Sequence, residues 1–372
     1  MVQIGCLTHL SGMWAPDDTP CAWPDCSSGT PNDRYLRQSG SATTLLHRVR
    51  LDSHSGEPRY FWRADGSDWM SIAMDVRFRE HALSQVGAPH KTGFLYHYTT
   101  VAAFKQIIES QELWLSDYAY LNDSSEIQHG LALAEGIAGS LLSSVSATSR
   151  ALLSDLLTIS IEERPRTCVA CFSYERDSLT QWKGYGERTF GVAFGVDSDV
   201  LERAVGATAR FVPVVYDNAV KRDLLASLIH DWATLLDRDL AERDADREKY
   251  ALLIRLNFFE LLATLKDESF ADEREVRMIY QEHARAFSSL GYDLAPKRFR
   301  TVGSLIMPFT STRDLAALRH AEHSILPQSG ISITDVVVGP HPLKNLAVSG
   351  IREFLIAHGY EVDVEPSRVP FR

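Results

Sequence analysis

From Phe94 to its C-terminus the chain alternates short apolar stretches of strand period with amphipathic helical ones, and it lacks the ordered strand-helix-strand repeat with a Gly-rich first turn that marks a doubly wound sheet. This alternation confines the fold to the α+β class, with mixed, mainly antiparallel sheets flanked by helices. Residues 94–98 read as a strand. Behind a threonine cap, Val101, Phe104, Ile107 and Ile108 then fall on one helical face. Residues 113–123 alternate apolar and polar as a half-buried strand does, and a helix follows over 124–145, capped by Ser124 or Ser125. Further strands are expected within 167–175, 190–196, 209–216, 275–282, 302–309, 333–340 and 361–365. The apolar spacing over about 218–266 predicts two helices, a helical insertion between the strands on either side.

The first ninety residues read differently. They contain no Lys (the first is Lys91), four of the seven Trp and three of the five Cys, with turn-rich pieces and little sustained periodicity. Two organisations fit 1–90: a poorly ordered extension, or a small accessory domain or metal knuckle on Cys6, Cys21 and Cys26. Met70 and Met74 are alternative starts for the chain. The second domain is expected over 91–372.

A net charge of -11 opposes tight nonspecific binding to duplex nucleic acid, which needs clustered Lys and Arg. No apolar run approaches a membrane span, and the N-terminus has neither a basic n-region nor a continuous apolar h-region, so a cytoplasmic location without membrane partners is expected. Five unevenly placed cysteines do not make a disulfide framework; Cys168 and Cys171, three apart in a strand, face opposite sides and are expected as buried thiols rather than a metal or redox pair. Walker, zincin and nucleophile-elbow motifs are missing from the sequence, and no metal is required.

Three clusters carry candidate chemistry. Tyr96-His97-Tyr98-Thr99-Thr100 ends the first strand at a helix N-terminus; His97 there either meets a ligand or satisfies backbone groups while Thr99 caps the helix. Cys171-Phe172-Ser173-Tyr174 is followed by Ser178, Trp182 and Tyr185, whose rings either line a cleft or fill the core. In the third cluster Glu273, Glu275 and Arg277 share one face of a strand. That arrangement either drives two carboxyl pKa values apart for acid/base work or forms a surface ion pair on an edge strand.

Together with Leu121-Asn122-Asp123-x-x-Glu126, Val336-Val337-Val338-Gly339-Pro340 and Ser367-x-x-Pro370-Phe371-Arg372, these motifs resemble the bacterial domain-of-unknown-function family 2971 over most of 94–372. The layout is similar, at one remove, to that of ADP-ribosyltransferases, in which strand-borne His, Tyr or Ser, and Glu surround NAD. The resemblance implies NAD as substrate, a nucleotide-type small molecule as partner, and an unknown protein or nucleic-acid acceptor, in a toxin or phage-defence role. It assigns His97 and Thr99 to the adenosine ribose or nicotinamide amide, with Tyr98 a further cofactor-binding candidate, and Tyr185 or Trp182 to stacking on nicotinamide. Glu275 would take the nicotinamide-ribose hydroxyl and Glu273 would orient the nucleophile. Ser173, Arg277, Ser367 and Arg372 are further binding candidates, the last two either on the pyrophosphate or tying down the tail. A catalytically silent ligand- or nucleotide-binding module on the same fold is the alternative.

Overall fold

A computed structural model describes residues 34–38, 45–51, 58–60, 94–121, 125–157, 164–186, 190–205, 209–242, 247–282, 294–318 and 331–370. By internal contacts the chain divides into Met1–Trp69 and Met70–Arg372. In the first unit, β1 (Arg34–Gln38), β2 (Leu45–Leu51) and β3 (Pro58–Tyr60) pair as an antiparallel sheet with β2 in the middle. Cys6, Cys21 and Cys26 lie outside the described residues.

The second unit is α+β, as its alternation of periods predicts. Strand β4 (Phe94–Thr99) leads into helix α1 (Val101–Ser110); the cap is Thr100, whose side chain accepts from Ala103 N, rather than Thr99. The next strand, β5 (Trp114–Asp117), is shorter than its alternation suggests, because the Asp117 carboxylate accepts from Ala119 N and turns the chain into a 3-10 segment over Tyr118–Tyr120. Helices α2 (Ser125–Leu141) and α3 (Ala147–Leu157) follow, then β6 (Thr167–Ser173), the short helix α4 (Leu179–Tyr185), β7 (Val192–Asp197), α5 (Ser198–Ala204) and β8 (Arg210–Pro213). The insertion is the expected helix pair, α6 (Asn218–Glu242) and α7 (Arg247–Leu262), ahead of β9 (Glu275–Gln281). Trp232 and Leu225 from α6 and Phe258 and Leu262 from α7 pack with Ala134 of α2 and Leu153 of α3 into a helical core of their own.

The single strand expected over 302–309 is a hairpin. Strand β10 (Arg298–Val302) turns through Gly303, which has φ 57°, into β11 (Leu305–Ser311), so a residue able to take positive φ sets the register Val302↔Leu305. Helix α8 (Thr312–Ala316), β12 (Ile333–Val338), helix α9 (Lys344–Ala357) and β13 (Asp363–Pro366) complete the unit. The ten strands β4–β13 form one sheet in the order β10-β11-β5-β6-β4-β7-β12-β13, with β9 and then β8 branching from β6. All of its strand pairs are antiparallel except β12 with β13.

The branch opens the sheet beside β6. A strand has two edges, and β9 occupies one edge of β6 from Thr167 to Ser173. The other edge is shared: β5 holds Cys168 and Val169, and β4 holds Ser173 through Tyr96. Between these contacts β4 and β5 part. Across the sheet, Leu95, Phe172, Phe194, Met278 and Val336 face Phe104 and Ile108 of α1 and Leu355 of α9, while Tyr96, Tyr98, Ala193 and Val337 face the opposite way, against Trp182. No helix among the described residues is long and apolar enough to cross a membrane.

Candidate functional site

Where β4 and β5 diverge from β6, a cavity of about 270 Å³ opens. His97 and Thr99 of β4, Cys171 of β6, Gln181 and Tyr185 of α4, and Glu275 of β9 line it, together with Ser110 at the end of α1, Glu112 just beyond it, Trp114 and Ser116 of β5, and Arg300 of β10. The register sets Tyr96 beside Ser173 and Ser173 beside Glu275, so Glu275 belongs to the sheet face of Tyr96 and His97 to the opposite face. The two border one cavity because the sheet is open between their strands.

His97 works in that gap. Its Nδ1 lies 2.8 Å from the carbonyl oxygen of Cys171, in the stretch of β6 that neither β4 nor β5 pairs. A carbonyl only accepts, so Nδ1 carries the proton and Nε2 of the neutral ring is an acceptor. The rings of Phe172 and Phe194 stand 5.5 and 5.3 Å away. Burial holds the imidazole pKa down, to about 4; the Cys171 bond opposes this and Arg300 adds to it. At neutral pH His97 is therefore an uncharged acceptor.

Glu275 is nearly sealed from water and held by three charge-assisted bonds. Arg277 donates from Nε to Oε1 at 2.8 Å and from Nη2 to Oε2 at 3.1 Å, and Lys266 Nζ donates to Oε2 at 3.0 Å. Burial by itself would raise its pKa, but Arg277 first and then Lys266 overrule it and bring the carboxyl to about 2. Lys266 also donates to Glu273 Oε2 at 2.6 Å. The four side chains thus form a charge-balanced network of two cations and two anions.

The shared strand face expected for Glu273, Glu275 and Arg277 holds for the last two alone. Glu273 ends a 3-10 segment (Glu268–Glu273), and Arg274 adopts the left-handed conformation (φ 44°, ψ 49°) before the strand begins. The surface ion-pair alternative fails as well, because Arg277 is 1 % exposed and β9 is paired on both edges, with β6 and β8. What joins the two glutamates is Lys266, which sequence reading did not single out. Its place is set by a bridge between Val215 and Leu265 beyond the helical insertion, a contact with no sequence signature.

The remaining candidates divide. Tyr185 lines the cavity, and its hydroxyl reaches Glu273 Oε2 at 3.4 Å; burial raises its pKa. Trp182 is fully buried, packed edge-on against Tyr98 and donating to Asp177 Oδ1 at 2.7 Å, so it offers no open ring to a ligand. Tyr98 borders the cavity with its hydroxyl occupied, donating to the Glu175 carbonyl at 2.7 Å and accepting from Ser178 N at 2.9 Å. The Ser173 hydroxyl, wholly buried, donates to the Glu273 carbonyl at 2.7 Å, and Arg277 Nη1 donates to the Ala263 carbonyl at 2.8 Å. Ser367 donates to Asp177 Oδ1 at 2.6 Å and ties the C-terminal segment to the loop before α4; Arg372 lies outside the described residues.

The two thiols do face opposite sides of β6: Cys168 sits in the α1-side core, and Cys171 packs on the other face. Burial raises both thiol pKa values, with Glu275 adding to the effect at Cys171, so neither is a ready nucleophile at neutral pH. A second residue missed in the sequence is Arg300, whose strand was not anticipated; the alternating Arg298-Phe299-Arg300 was the available signal.

No curated protein and no solved structure matches the chain. The family model described as Protein of unknown function (DUF2971) matches residues 181–278, the stretch that runs from α4 through the helical insertion to the Glu275–Arg277 pair, and it supports the family resemblance carried by the motifs.

Proposed function

We propose that the cavity binds a nucleotide-type ligand and that NAD is its substrate, in the manner of an ADP-ribosyltransferase, with a toxin or defence role as the setting. One observation carries this reading: His97, Tyr185 and Glu275, drawn from three distant stretches of sequence, border the same cavity. His97 Nε2, an acceptor, suits a ribose hydroxyl or the nicotinamide amide. Tyr185 supplies a ring for nicotinamide, and Glu275 supplies an ionised carboxylate at neutral pH. In the reaction the glycosidic C–N bond breaks, its electron pair leaves with nicotinamide, and a nucleophile of the acceptor adds to the ribosyl cation that a nearby carboxylate stabilises. Tyr185 links Glu273 to the cavity, as a group that orients the nucleophile requires.

A second reading, a catalytically silent nucleotide-binding module, is favoured by the ion pairs of Glu275. A carboxylate held by Arg277 and Lys266 has its charge largely neutralised before any cation develops. Nicotinamide release by the full chain, with a cell extract supplying acceptors, separates the two. Release that Glu275→Gln abolishes supports the enzyme. NAD binding by calorimetry without release supports the silent module, and absence of both rejects NAD as ligand.

A further inference from the structure

The charged groups that line the cavity differ in how they are paired. Two acids line it, and each has a cation behind it: Glu275 has Arg277 and Lys266, and Glu112 has Arg298, whose Nη1 donates to Oε2 at 2.9 Å and also lies 3.5 Å from Asp314 Oδ2, while Trp114 Nε1 donates to Glu112 Oε1 at 3.1 Å. Arg300 is the sole Lys or Arg among the described residues lining the cavity, and no described carboxylate pairs with it. Its Nη2 donates to Ser116 Oγ at 2.6 Å and touches Met307 Sδ at 3.5 Å, and the guanidinium lies over the Trp114 ring at 5.5 Å. Its Nε is shut off from solvent with no hydrogen-bond partner, as is the Ser110 hydroxyl, which lines the same cavity.

A guanidinium spreads its charge over three nitrogens, and one that lines a cavity without meeting a carboxylate keeps that charge available to an entering anion. Desolvation lowers the Arg300 pKa with no opposing carboxylate, and the guanidinium in turn helps hold His97 neutral. The site therefore presents a fixed positive charge, held in orientation by Ser116 and Trp114, to whatever enters.

We propose that Arg300 is the anion-recognition residue of this cavity and binds a phosphate group of the ligand. The identification of that ligand as NAD rests on the function proposed above; the anion site itself does not. Arg in a planar fork matches phosphate oxygens, and a half-buried position shields the pair from salt.

The test is titration calorimetry of the full chain with three probes: NAD, inorganic pyrophosphate, and nicotinamide riboside, which lacks phosphate. Arg300→Gln is expected to weaken NAD and pyrophosphate by roughly 10- to 100-fold, with Arg300→Lys recovering part of the loss and nicotinamide riboside unaffected. Pyrophosphate binding that depends on Arg300, with no NAD binding, would uphold the anion site and reject the NAD reading. NAD binding that Arg300→Gln leaves unchanged would overturn the anion site and leave the NAD reading standing, and a wild-type chain that binds neither anion overturns it too. A variant that fails to fold is bypassed by phenylglyoxal labelling of the wild type. Pyrophosphate should protect Arg300 from modification, and equal labelling with and without it counts against the proposal.

Discussion

Replacing Arg277 by Met separates a buried ion network from a surface one. Arg277 is 1 % exposed and makes two bonds to Glu275 and one to the Ala263 carbonyl. The substitution leaves the Glu275 carboxylate sealed from water with Lys266 as its one remaining cationic partner among the described contacts. Two routes give the magnitude. Breaking a buried pair by removing one partner costs about 3–5 kcal/mol. Independently, the drop of the Glu275 pKa from 4.5 to about 2 corresponds, at about 1.36 kcal/mol per unit, to roughly 3 kcal/mol of folded-state preference for the ionised form.

The sign follows from the depressed pKa. The contribution is fully present above 4.5 and is lost as pH falls through about 2, where the folded carboxyl takes its proton. Urea unfolding of the full chain at pH 7 should therefore show a loss of roughly 3 kcal/mol in Arg277→Met. The deficit should shrink toward pH 3, and Arg277→Met combined with Glu275→Gln should recover much of it. A loss below about 1 kcal/mol at pH 7, typical of exposed pairs, or a deficit independent of pH, would refute the account.

Two further outcomes are expected. With His97 held at about 4 in the fold against an ordinary 6.5, the depressed pKa makes stability fall as pH drops from 6.5 toward 4. By pH 5 the His97-specific loss should be about 2 kcal/mol, measured as the difference between wild type and His97→Gln; parallel pH profiles would contradict it. At Gly191 an added Cβ would stand 2.5 Å from the Thr99 carbonyl oxygen and 2.6 Å from Gly186 Cα, both backbone atoms, whereas at Gly184 it would meet nothing within 4 Å. Gly191→Ala should thus lower the melting temperature by several degrees, for a cost of about 1–3 kcal/mol, and Gly184→Ala, inside α4, should leave it level or raise it; equal shifts would show that the close approach does not matter.

Much of the fold was legible because periodicity is a local property. The short apolar stretch of β4 and the 3.6-residue spacing of α1 and of the helical insertion depend on nearest neighbours along the chain, and the elements form where those patterns lie. Elements ended where local chemistry intervened: Asp117 caps a turn within the expected strand, and Gly303 folds an expected single strand into a hairpin. His97, Tyr185 and Glu275 were accessible as candidates for the same reason, being polar residues at the ends of recognisable elements.

By itself, then, the sequence determined the element types, the α+β class and a short set of polar residues at strand ends. The tertiary structure alone decided which of those residues meet. A strand's period assigns each side chain to a face but does not say what covers that face. Trp182 and Tyr185, three apart on one short helix, accordingly ended as a sealed core ring and a cavity wall. The parting of β4 and β5 along one edge of β6 follows from pairing over long sequence separations, and so does the capture of both glutamates by Lys266. Charge neutralisation is likewise a property of three-dimensional distance, which is why Glu275 emerged as a paired carboxylate and Arg300 as the cation without a carboxylate partner among the described residues lining the cavity.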